Sequence, residues 1–192
     1  MKRSGSSSSL VRTLVLNALL MALSVVIGIV CKTAFTWDVY YRVTFENFPI
    51  IISGFLFGPI WGAAVGAGAD VVSCLCSPNP AVNPVITVGA AAVGIISGLV
   101  PMIFGKFSKK FRFSLSLAVS VALSHAIGQV LIKSIAKIVY FGMPKIGIVI
   151  GAAISLGVGT VEFFFIRTLL FNREIASHLS DVTRHLPSDG KE

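Results

Sequence analysis

The sequence predicts an all-α membrane protein, a compact bundle of six transmembrane helices with both termini cytoplasmic. Three observations carry that expectation. Of 192 residues, 55% are hydrophobic and only 12% are charged, against about 25% charged in a soluble domain. The mean hydropathy is +0.88. The apolar residues fall into long runs, and basic residues collect at the ends of those runs, where lysine and arginine set membrane orientation. A formal charge of +8 therefore reads as topology and not as nucleic-acid binding.

Each element can be justified in order. Residues 1–9 form a polar, serine-rich tail carrying Lys2 and Arg3. Helix 1 is expected over about Leu10–Cys31. Its apolar run from Leu14 to Val30 is longer than the core of a signal peptide, and no A-x-A cleavage site follows. Val30, just before Cys31, is a poor fit to the small residue a lipoprotein cleavage site needs. The run is read as a retained helix. Lys32–Glu46 is a loop with Trp37, Tyr40, Tyr41, Arg42 and Phe45. Helix 2, about Asn47–Phe57, reaches only roughly 17 Å, short of the ~30 Å hydrocarbon core. Gly58-Pro59 breaks it, and helix 3 follows to about Cys76. SPNPAVNP is a proline-rich turn, and helix 4 covers about Ile86–Phe104. After the basic loop GKFSKKFR, helix 5 covers about Phe113–Tyr140, at roughly 40 Å long enough to tilt. FGMPK turns the chain into helix 6, about Ile146–Phe171. Residues 10–171 thus form one transmembrane domain, and 172–192 a polar cytoplasmic tail.

Charge tests this topology. With six spans, eleven of the sixteen lysines and arginines fall on the side of the termini, and only Lys32, Arg42, Lys133, Lys137 and Lys145 fall elsewhere. The positive-inside rule makes the richer side cytoplasmic, so the loops after helices 1, 3 and 5 face outside.

Helix 5 carries the most informative pattern. His125, Gln129, Lys133 and Lys137 are each four residues apart. On an α-helix each such step drifts only ~40°, so the four share a slowly winding face. A charge at mid-bilayer costs about 2.5–3.5 kcal/mol on insertion scales. The stripe is therefore expected to face the bundle interior or a water-filled cavity. The lysines lie toward the outer end, so the cavity should open outward and take an anionic ligand. Snorkelling of the lysine heads to the outer headgroups is the bland alternative, most plausible for Lys137. The outer loops offer groups to close the pocket: the aromatic Phe45 for stacking, Arg42 as a fork donor for a carboxylate, and Asn79 and Asn83 as amide donors and acceptors.

Gly58, Gly62 and Gly66 repeat every four residues along helix 3, a face for close helix contact. Asp70 continues that face and needs a partner, such as a lysine of helix 5, unless it is protonated. Glu162 on helix 6 raises the same question, with Arg12 or Arg167 as candidates. Cys74 and Cys76 point away from each other on a helix, and no cysteine–histidine spacing suggests a metal. Neither a metal nor a cofactor is expected.

The stretch VTFENFPIIISGFLFGPIWGAAVGAGADVVSCLCSP, residues 43–78, resembles the helix 2–helix 3 segment of the S components of energy-coupling factor (ECF) vitamin transporters, most closely the folate family. NALLMALSVV in helix 1 is similar to the alanine motif by which S components dock onto a transmembrane coupling subunit. The resemblance implies docking through Ala18 and Ala22. It also implies capture of folate or a related anionic vitamin from outside, and work with the coupling subunit and two cytoplasmic ATPases in a prokaryotic plasma membrane. The chain has no GxxxxGK[ST] phosphate loop, so if uptake is ATP-driven a partner must supply the energy, and the chain is not expected to be an enzyme. A stand-alone secondary transporter, with Asp70 or Glu162 carrying protons, is the main rival. A channel built on Asn79-Pro80-Ala81 lacks a second half-helix and a selectivity arginine, and an intramembrane hydrolase lacks any catalytic motif.

Overall fold

A computed structural model of the chain describes residues 4–34, 43–76, 83–104, 110–142, 144 and 146–171. Those residues form six helices and, among them, no strand. α1 spans Ser4–Ala34, α2 Asn47–Phe57, α3 Pro59–Leu75 and α4 Pro84–Ile103. α5 is one continuous rod in three segments: an α-helix Lys110–Leu123, a π-helix Ser124–Ile132 and an α-helix Lys133–Phe141. α6 spans Ile146–Phe171. α1 starts at Ser4 rather than Leu10, because adding a residue to an existing helix needs no new nucleus. α2 and α6 have the expected bounds.

Four of the helices contain stretches long and apolar enough to cross a membrane: Leu10–Cys31, Pro84–Ile103, Phe113–Tyr140 and Ile146–Leu170. α2 and α3 are shorter. Their joint is Gly58, at φ +97°, a left-handed value that side chains rarely adopt. Pro59 then opens α3, where its missing N–H would have had no partner in the helix.

Many of the bundle's buried side chains are polar, and many of its exposed ones are aliphatic. Thr13, Asn17, Ser24, Ser53, Ser97, Ser120 and Glu162 are buried, while Leu14, Leu19, Val26, Ile60, Leu156 and Phe165 are exposed. In water this distribution would not fold; in lipid it removes polar groups from hydrocarbon and leaves apolar side chains against acyl tails. The buried polar groups find partners across helices. Ser53 of α2 donates to Asn17 Oδ1 of α1, and Ser24 Oγ of α1 donates to the Glu46 carbonyl at 2.6 Å. An apolar cluster of Ile50, Ile51, Val65, Val93, Leu117 and Ile166 ties α2 through α6 together.

The glycine face of α3 does what its spacing predicts. A Cβ on Gly62 would collide with the Gly94 carbonyl of α4, one on Gly94 with the Gly62 carbonyl, and one on Gly66 with the Ala90 carbonyl. The two backbones touch with no side chain between them.

Candidate polar cavity between helices 5 and 6

The stripe on α5 faces inward and shares one cavity. His125, Gln129, Lys133 and Lys137 all line a space of about 80 Å³, closed on the other side by Ser155 of α6 and bordered by Thr44. His125 and Lys133 are buried, 6% and 5% exposed. The cavity has room for a few waters. It is smaller than the ~300 Å³ and upward of typical ligand pockets, so a vitamin would have to widen it.

The stripe does not ride on a plain α-helix. His125 and Gln129 lie within the π segment, and Lys133 begins the α-helical turn after it. The i→i+5 bonding of a π-helix widens each turn, a feature often found at functional sites. Packing on α4 accounts for the local fit. Ser124 Oγ donates to the Val93 carbonyl at 3.1 Å, and a Cβ at Gly128 would run into Val93.

Two buried acid–base pairs back the cavity. Lys133 Nζ lies 3.3 Å from Glu46 Oε1, with the two side chains 6% and 11% exposed. The lysine stem reaches Glu46 by crossing Gly89 of α4, where a Cβ would stand 2.9 Å from Lys133 Cγ. His125 Nε2 lies 2.7 Å from Glu162 Oε2, and His125 Nδ1 lies 2.9 Å from Ser155 Oγ. In the neutral ring, Nε2–H donates to the carboxylate and Nδ1 accepts from the serine hydroxyl; in the imidazolium both nitrogens donate. Glu162 Oε1 is buried without a hydrogen-bond partner.

Several expectations need correcting. Glu162 is met by His125, not by Arg12 or Arg167, because the histidine faces it directly across the α5–α6 contact. Asp70 accepts from Thr87 Oγ1 at 2.7 Å, and the helix 5 lysine expected there goes to Glu46 instead. Asn83 does not line the cavity. It caps α4, its Oδ1 accepting from the Val85 N–H at 3.0 Å. Phe45 faces a separate apolar space of about 280 Å³ with Phe48, Ile27 and Phe165. Arg42 and Asn79 lie outside the described residues.

Glu46, Thr44 and Ser155 were not foreseen as site residues. Ser155 had a signal: Gly151, Ser155, Gly159 and Glu162 follow helical spacing along α6, and this face meets the stripe. Glu46 had none, since it stands alone at the end of a loop.

A second, larger space of about 450 Å³ lies between α5 and α6 and is lined by Ala118, Ala122, Ala126, Ala152 and Phe163. His125 and Ser155 form the wall it shares with the polar cavity. On α1, Ala18 and Ala22 are exposed, on the side away from buried Thr13, Asn17 and Ser24.

A family model described as "ECF transporter, substrate-specific component" matches residues 12–172. No curated relative matches the chain.

Proposed function

The chain belongs to the substrate-specific components of ECF transporters, and from that membership we propose that it captures folate or a related anionic vitamin and hands it to partner subunits. Members of this family are membrane-embedded, substrate-binding proteins rather than enzymes, and they work with a coupling subunit and ATPases. The finer reading rests on one observation: His125, Gln129, Lys133 and Lys137 line the same cavity. Two lysines suit a carboxylate-bearing tail, and Gln129 can both donate to and accept from a planar heterocycle. A cationic vitamin would meet those lysines as like charges. The vitamin enters from the outer face of a prokaryotic plasma membrane, with both termini cytoplasmic. Ala18 and Ala22 meet the coupling subunit, whose two ATPases drive release.

Titration of the purified chain with folate, riboflavin and thiamine, followed by tryptophan fluorescence, tests this. Saturable binding of folate without partners is expected, and Lys133→Ala should weaken it at least tenfold, about 1.4 kcal/mol. Binding of thiamine alone would exclude the anionic reading.

The buried His125–Glu162 pair favours a second reading, a stand-alone proton-coupled transporter of a small organic anion. It requires uptake without ATPase partners and sensitivity to uncouplers.

A further inference from the structure

We propose that Glu46 is a resident counter-ion for Lys133 that the ligand's carboxylate displaces, so that capture exchanges one acid for another at a single ammonium. The proposal rests on the reading of the polar cavity as an anion site.

The geometry places Lys133 between two compartments. It lines the polar cavity, but Glu46 does not. Glu46 lines a different gap of about 10 Å³, with Asp70, Ser24 and Ser73. An anion entering the cavity therefore meets Lys133 on a side Glu46 does not occupy. Both partners are nearly buried, and a buried ammonium without a counter-charge is strongly unfavourable. Glu46 meets that need. Exchange of one carboxylate for another keeps the lysine compensated throughout and adds no unpaired buried charge at Lys133.

Two further observations set Glu46 apart from a plain structural acid. It stands at the N-terminus of α2, yet its side chain makes no capping bond to that helix. It also shares its gap with Asp70. Once parted from Lys133, Glu46 would face a like charge, which favours its withdrawal over its remaining in place. Thr44, two residues earlier, borders the cavity. Withdrawal of Glu46 thus moves the chain at the cavity's edge, where an 80 Å³ space has to widen.

The test uses the full chain with Glu46→Gln and Glu46→Asp. Unfolding is followed with and without folate, and folate is titrated by tryptophan fluorescence. Glu46→Gln should unfold at a lower temperature alone, yet bind folate about tenfold more tightly, because the competitor is gone. Glu46→Asp, with a shorter reach, should tighten binding by a smaller factor. A merely structural Glu46 predicts weaker or unchanged binding, and that result in a folded variant overturns the proposal. Failure of both variants to fold would mark Glu46 as a fixed anchor and overturn it as well. If the wild-type chain ignores folate but binds another organic anion, the folate assignment alone falls and the variants are scored with that anion. Binding of riboflavin or thiamine only would sink both.

Discussion

Gly89 carries no functional group, yet the site depends on it, because the Lys133 stem crosses its bare α-carbon. Gly89→Ala should push that stem aside, carry the ammonium away from the cavity and weaken folate binding several-fold, read by titration against the wild type. The His125–Glu162 pair invites a double-mutant cycle. His125→Leu leaves a buried carboxylate uncompensated, which typically costs about 3–5 kcal/mol. Adding Glu162→Gln should restore much of that loss in thermal unfolding, and strict additivity would mean the two residues do not interact. At this scale the sequence was partly legible. The inward aspect of Lys133 follows from the price of a charge in lipid and the four-residue spacing. Its partner does not, since Glu46 is 87 positions away and only the assembled bundle brings the two together. Asn83 was misread because an amide near a cavity and an amide capping a helix look the same in one dimension.

Among the elements, α5 departs furthest from expectation. Residues four apart line up on an α-helix with a slight forward drift, and on a π-helix with a slight backward one, so the stripe's spacing fits either. The choice is made by α4, through Ser124 on the Val93 carbonyl and Gly128 against Val93. Deletion of exposed Ala126 should let the segment relax to α geometry. Nine π-wound residues sweep roughly 740° and eight α-wound ones roughly 800°, so everything beyond the segment would turn by about 60° relative to the first half of α5. Lys133 and Lys137 would leave the cavity, and folate binding should be lost while circular dichroism shows helix content unchanged. Retained affinity would show that the π segment does not set the register of the lysines. The other elements were readable because their ends carry strong signals: Gly58-Pro59 between α2 and α3, and the proline-rich turn before α4.

The whole molecule buries many polar side chains beside its apolar cluster and exposes many aliphatic ones, so lipid is its solvent. α1 is the clearest case. Its inner side holds Thr13, Asn17 and Ser24, and its outer side shows Leu14, Leu19 and Val26 around the two small residues Ala18 and Ala22. Ala18→Trp or Ala22→Trp should reduce co-purification with the coupling subunit while the isolated chain still binds folate; lost binding with normal assembly would reverse that division of labour. The three larger spaces all adjoin α6, whereas α3 and α4 meet backbone to backbone. Compliance is therefore unequally shared. Where carbonyl oxygens rest on bare α-carbons, nothing can slide or rotamerise, and that seam serves as a fixed frame. A guest that needs more room must find it by displacing α6 and the π-wound part of α5, and amide exchange should be slowest along the glycine seam.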